Sequence, residues 1–145
     1  MHVLFLCTGN TCRSPMAEAF FCRRVQGRCK ASSAGFAAHT DDPASEGAKN
    51  AMLAYGIRLY DHRARRVTAD MLHAADLVLT MTEAHAETAR TLAPDARVFP
   101  LIDYAEHIRE DIPDPYMRGQ AAYDACATRI SRAVDALICI LNKGG

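Results

Sequence analysis

The sequence predicts an α/β fold: a single domain over residues 1–145, with a four-stranded parallel sheet and helices on both of its faces. Three observations carry that expectation. Short, continuous apolar runs alternate with stretches whose apolar residues recur at three- and four-residue steps, and alternating strands and helices build parallel sheets. The 145 residues are enough for one domain with a substantial core. Half of the residues are hydrophobic and 23% are charged, a globular balance, with no internal repeat, linker or low-complexity tract.

Residues 2–7 read as a buried strand, because Val3-Leu4-Phe5-Leu6 is apolar without alternation. Residues 13–26 read as a helix, with Ala17, Phe20, Phe21 and Val25 on one face and Gly27 as its stop. A weaker strand over 30–34 closes at Gly35 and completes a βαβ unit. Asp42 and Pro43 predict the N-cap and first position of a second helix, with Ala48, Ala51, Met52 and Tyr55 inward and Gly56 ending it. Residues 61–66 form a charged connection, and 68–75 a short helix. Leu77-Val78-Leu79 centres a strand over 76–81. Thr82 caps a helix over 83–92, which must end before Pro94. Residues 97–100 give a fourth strand and 102–109 a short helix. Two prolines and a glycine make 111–119 a loop. The last helix spans 120–142, with Cys126, Ile130, Ala133, Val134, Leu137 and Leu141 inward.

The 17 basic and 17 acidic residues cancel, so no net charge draws the chain to nucleic acid or to a membrane surface. No apolar run approaches the roughly 20 residues of a membrane span, and the first apolar stretch is too short for a signal peptide. A cytoplasmic protein is expected. A core of this size needs no disulfide scaffold, so the six cysteines read as free thiols in a reducing compartment. No His/Cys cluster has metal-ligand spacing, and neither a metal nor another cofactor is expected.

The chemistry concentrates in Cys7-Thr8-Gly9-Asn10-Thr11-Cys12-Arg13-Ser14-Pro15. A strand runs into a tight loop and the loop into a helix N-terminus. That geometry aims successive backbone N–H groups at one point and makes an anion site. The positive field there favours the thiolate of Cys7. Arg13 supplies a planar fork that grips two phosphate oxygens. Nucleophile and cradle together point to phosphoryl transfer through a cysteinyl-phosphate. Asn10 tolerates the left-handed backbone that holds such a loop open, and Ser14 is placed to donate to Cys7 or to cap the helix. The leaving group needs an acid from a separate loop. Asp114, stiffened by Pro113 and Pro115, is the best candidate, with Asp103 and Asp111 as rivals.

Cys7 to Pro15, with Met16-Ala17-Glu18-Ala19-Phe20 after it and Asp114-Pro115-Tyr116 near the end, resembles the low-molecular-weight protein tyrosine phosphatase family over most of the chain. The resemblance implies Cys7, Arg13 and Asp114 as catalytic residues. Thr8, Gly9, Asn10, Thr11, Cys12 and Ser14 would form the phosphate loop, and Tyr116 would wall the substrate cleft. It implies that Ser33 and His62 support the loop through a network with Asn10. It also implies that Cys12 can form a disulfide with the nucleophile and protect it from irreversible oxidation. Arg63, Arg65 and Arg66 read as a solvated face or a docking site for acidic segments. The expected partners are phosphorylated proteins, with inorganic phosphate as product or inhibitor, and the expected assembly is a monomer or weak dimer.

Two substrates stay open. Tyr116 suits phosphotyrosine. Thr11, Leu79-Thr80-Met81-Thr82 with His85, and Val98-Phe99-Pro100-Leu101 are similar to a bacterial branch that acts on phosphoarginine, although Met117-Arg118 stands where that branch often has glycines. An arsenate reductase of the same fold would be a redox enzyme, but it needs a further cysteine pair on a mobile mid-chain segment. This chain has no cysteine between Cys29 and Cys126, and Cys126 and Cys139 lie about 20 Å apart on one helix. A non-catalytic phosphate-binding module would not need Cys7, Arg13 and Asp114 together.

Overall fold

The computed structural model describes residues 1–144. Its strands are β1 (His2–Cys7), β2 (Lys30–Gly35), β3 (Leu77–Thr80) and β4 (Val98–Pro100), and its helices are α1 (Arg13–Val25), α2 (Glu46–Leu53), α3 (Ala69–Ala74), α4 (Glu83–Leu92), α5 (Leu101–Glu106) and α6 (Gln120–Asn142). The four strands form one parallel sheet in the order β2-β1-β3-β4. The side chains of β1 alternate between two cores, as the period of a strand requires. Val3, Phe5 and Cys7 pack with α1, α2, α5 and α6, while Leu4 and Leu6 pack with α3 and α4. A strand buried on both faces has no polar side, which is why β1 reads as an unbroken apolar run. Phe5 meets Phe21 of α1 edge-on at 5.7 Å between ring centroids, tying the sheet to its first helix.

From β1 the chain crosses to β2 on one side, then returns to β3 on the other. The order therefore reverses at the C-terminal end of β1, where ligands bind in open α/β sheets, and Cys7 is the last residue of that strand.

Some expected boundaries move. The second helix starts later than Asp42-Pro43 suggests. Ser45 is its N-cap, accepting from the Ala48 N–H at 3.3 Å. The Asp42 carbonyl is already engaged by the Ala64 N–H, and the Asp41 N–H by the Ala64 carbonyl, so this stretch is committed to a pairing with the 61–66 connection. Tyr55 lies past the end of α2, where it packs edge-on against Phe20 at 4.8 Å. The fifth helix stops at Glu106 because His107 turns left-handed, at φ 59°, and donates back to Asp103. Helices α4 and α6 begin and end at the expected residues.

Candidate active site

The loop 8–12 is built from the inside outward. Asn10 is fully buried with φ 55°, the left-handed conformation expected of it. Its side chain holds three segments together. Nδ2 donates to Ser14 Oγ at 2.9 Å and to Ser33 Oγ at 3.0 Å, while Oδ1 accepts from the Arg65 N–H at 2.9 Å. Its carbonyl accepts from His62 Nε2 at 2.6 Å. Ser14 Oγ, already accepting from Asn10, has its proton free for Cys7 Sγ at 2.9 Å. Ser33 likewise donates its hydroxyl proton in a hydrogen bond to Glu18 Oε1 at 2.6 Å. A continuous hydrogen-bonded chain thus runs from Glu18 to the Cys7 sulfur, and such chains polarise one another.

Arg13 is 5% exposed, and its guanidinium is aimed from two sides. Nη1 donates to the Ile112 carbonyl at 3.0 Å, and Nη2 lies 3.7 Å from Asp114 Oδ2. The Ile112 N–H in turn bonds the Met81 carbonyl, which ties the start of the 111–119 loop to the end of β3. Asp114 is half exposed and accepts from the Tyr116 N–H at 3.1 Å. Its rivals are occupied elsewhere: Asp111 accepts from the Glu83 N–H at 2.9 Å at the start of α4, and Asp103 sits on α5.

Cys7, Thr8, Gly9, Thr11, Cys12, Arg13, Ser45, Asp114, Tyr116 and Tyr123 line one cleft of about 210 Å³. The residues expected at the site from two distant stretches of sequence, 7–13 and 114–116, therefore converge. Cys12 sits in this cleft, and its hydrogen bond with Cys126, reinforced by burial, pushes its thiol far above the ordinary range. A neutral Cys12 does not repel a phosphate dianion. Larger cavities exist, including one of about 550 Å³ lined by Glu83, Glu87, Asp103 and Glu110, but it contains neither Cys7 nor Arg13. Its five carboxylates, with Asp111 among them, outnumber the guanidinium groups of Arg90 and Arg109 and make it a poor anion site.

Several contributors escaped the sequence reading. Gly35, read only as a strand end, lies so close to the loop that an added Cβ would sit 2.5 Å from the Thr8 carbonyl oxygen. Arg65 is exposed, in line with its reading as part of a solvated face, but it also bonds Asn10 through its N–H and the Ser33 carbonyl through Nε at 3.0 Å. Arg63 and Arg66 are exposed as expected. Tyr123 reaches the cleft from α6 over Gly47, whose missing side chain leaves room for the ring. Its place one turn before Cys126 on the inner face of α6 was the available signal. His85, noted earlier for its sequence neighbourhood alone, shares a 2.9 Å hydrogen bond with Thr8 and stacks on Phe36. Burial, followed by the nearby Arg13 charge, lowers its pKa to about 4, so it is neutral at pH 7.

A family model described as low molecular weight phosphotyrosine protein phosphatase matches residues 2–144. The chain is 33% identical over 131 residues to the low molecular weight protein-tyrosine-phosphatase Etp of Escherichia coli, covering 90% of this chain and 88% of that one. The solved structure of YwlE arginine phosphatase from Geobacillus stearothermophilus superposes with a TM-score of 0.94 at 31% identity, covering 99% of this chain and 94% of the other. A low molecular weight protein tyrosine phosphatase from T. tengcongensis superposes with a TM-score of 0.89 at 37% identity, covering 95% and 97% of the two chains.

Proposed function

Because the chain belongs to the low molecular weight phosphotyrosine protein phosphatase family, whose cysteine-dependent hydrolysis it shares, we propose that it dephosphorylates arginine residues of proteins. The observation that carries the substrate is the composition of the cleft: Thr11 lines it together with the Asp114 carboxylate. A guanidine leaving group is rich in N–H donors, and a hydroxyl and a carboxylate can accept from it. The backbone carbonyl of Thr11 accepts from the Ser45 N–H at 2.8 Å, which fixes the residue at the cleft wall.

In this mechanism the Cys7 thiolate attacks phosphorus in line with the leaving nitrogen. Loop N–H groups and Arg13 hold the three equatorial oxygens as charge spreads over them. Asp114 delivers the proton that the departing guanidine needs, leaving a cysteinyl-phosphate. As a carboxylate it then takes a proton from the attacking water, and phosphate and free Cys7 result. Ser14 steadies the thiolate as nucleophile and as leaving group. The Asn10, Ser33 and His62 network maintains the loop shape without touching substrate. Residues 1–145 act as one phosphatase domain, in the cytoplasm and as a monomer or weak dimer, on phosphorylated proteins. The free state of all six cysteines supports that location. Among the described residues no helix is long and apolar enough to cross a membrane.

Phosphotyrosine is the second reading, favoured by the two aromatic side chains, Tyr116 and Tyr123, that line the same cleft. Phosphate release from matched phosphoarginine and phosphotyrosine peptides separates the two. Preference for phosphoarginine, reversed by Thr11→Ile, supports the first. Preference for phosphotyrosine that Thr11→Ile leaves unchanged supports the second. No release from either by reduced protein overturns both.

A further inference from the structure

His85 does not line the cleft, yet one hydrogen bond connects it to the residues that do. It sits in the first turn of α4, where its backbone N–H donates to the capping hydroxyl of Thr82 at 3.1 Å. The half-buried ring stacks on Phe36, with centroids 5.6 Å apart and planes at 16°. Phe36 is itself registered on the loop. Its N–H bonds the Cys7 carbonyl at 3.1 Å, and the Ala37 N–H bonds the Thr8 carbonyl at 2.9 Å. From this place His85 Nε2 meets Thr8 Oγ1 at 2.9 Å. The same oxygen accepts from Arg13 Nη2 at 3.5 Å. A chain of contacts thus runs from Phe36 through His85 and Thr8 to the guanidinium.

We propose that His85 is a positioning residue for phosphoryl transfer: through the Thr8 hydroxyl it fixes the plane of the Arg13 guanidinium. The inference rests on the phosphatase reading, in which Arg13 stabilises the charge of the transition state. A guanidinium grips two oxygens only when its fork lies in their plane. Nη1 is held by the Ile112 carbonyl, and Nη2 lies between Thr8 Oγ1 and Asp114 Oδ2. Asp114 cannot hold Nη2 evenly, because it is a neutral acid as the leaving group departs and a carboxylate afterwards. Thr8 keeps one charge state throughout and is the constant partner. Its side chain is exposed, however, and has other rotamers open to it. The bond to His85 selects the one that faces Arg13.

The protonation of the ring fits this task. Nδ1 is buried and has no hydrogen-bond partner among the described residues. Orphaned buried N–H groups are rarer than under-satisfied acceptors, which assigns the ring proton to Nε2. Nε2–H then donates to Thr8 Oγ1, which accepts from the ring on one side and from Arg13 on the other. An imidazolium here would repel the guanidinium. Burial and that same Arg13 charge keep the ring neutral at pH 7.

The test is steady-state kinetics of the full-length protein on p-nitrophenyl phosphate, whose good leaving group makes little demand on Asp114. His85→Leu should lower kcat by about 10-fold and change KM by less than about twofold, the pattern of an interaction made in the transition state. His85→Gln, which can still donate to Thr8, should stay within about threefold of wild type in kcat. In an Arg13→Ala background the His85→Leu loss should vanish, because a residue acting through Arg13 has nothing left to position. A kcat for His85→Leu within about twofold of wild type overturns the proposal, as does a loss that Gln does not recover or that persists without Arg13. If His85→Leu does not fold, Thr8→Val removes the same hydrogen bonds from the other end and is read in the same way. Wild-type protein that releases no phosphate would overturn the phosphatase reading instead. The nitrogen-15 signals of the Arg13 guanidinium then decide this one. They should be resolved in the wild type and averaged in Thr8→Val, and unchanged signals overturn it.

Discussion

The two loops that meet over the cleft are built on opposite principles. The loop 8–12 is held from beneath by buried, engaged polar groups: Asn10 and Ser14 are fully buried, and each links further segments by hydrogen bonds. The 111–119 loop is anchored at its start, through Asp111 and Ile112, and beyond that only Pro115 is buried while the other residues are exposed. Asp114 is 53% exposed, Tyr116 68% and Met117 84%. A cradle that stabilises developing charge works by being fixed before the reaction, because any reorganisation would be charged against the barrier. A proton donor that must admit a protein segment, give up its proton and then turn to a water gains from access. One side of the cleft is therefore set by burial, and the other by backbone stiffness at Pro113 and Pro115.

That contrast can be broken most severely at the nucleophile. Cys7→Ser should reduce phosphate release to background while leaving the far-ultraviolet circular dichroism unchanged, since the two side chains differ by one atom. Next, Arg13→Ala should lower kcat by about 10²–10³-fold, the usual cost of one transition-state charge donor. Asp114→Asn should cost about 10²–10⁴-fold. Its loss should shrink on an activated substrate whose leaving group needs no proton, whereas the Arg13 loss should persist. If both losses shrink equally, the division of labour between the loops is wrong.

Asn10→Ala tests the rigid side alone. It leaves Ser14, Ser33 and the Arg65 N–H without their shared partner, at about 1–3 kcal/mol for a buried group left unsatisfied. A denaturant titration should show that loss along with reduced kcat. The open side offers the smallest change. Met117, next in sequence to Tyr116, holds φ 59°, so Met117→Gly should relieve backbone strain and shift stability by less than about 2 kcal/mol. A larger destabilisation would mean that this exposed side chain packs on something essential.

His85 adds a pH signature to the rigid side. Its folded pKa of about 4 lies below the ordinary 6.5. Between those values the unfolded chain binds the extra proton, so protonation favours unfolding. The neutral ring's contribution is complete above about pH 6.5 and declines as pH falls toward 4. The unfolding midpoint of the wild type should therefore fall faster over that window than that of His85→Gln. Parallel curves would place the ring in water rather than beneath Thr8.

Much of the site was readable because local sequence and local geometry coincide there. Cys7 to Ser14 are contiguous, and a strand, a tight turn and a helix start need no distant partner to be recognised. The caps of α4 and the span of α6 were readable for the same reason. The start of α2 was not: Asp42 followed by Pro43 is a good local signal, but Ala64 engages that backbone first.

The linear order of residues thus determined the sheet's alternation and singled out Cys7, Arg13 and Asp114 for their proposed roles, because each rests on side-chain chemistry within a few positions. The tertiary structure alone decided that Gly35 must lack a side chain, that the Arg65 backbone N–H serves Asn10, and that Tyr123 reaches the cleft over Gly47. Those are close approaches between distant segments. They are set by how the strands register and the helices pack, and no single stretch of the chain contains them.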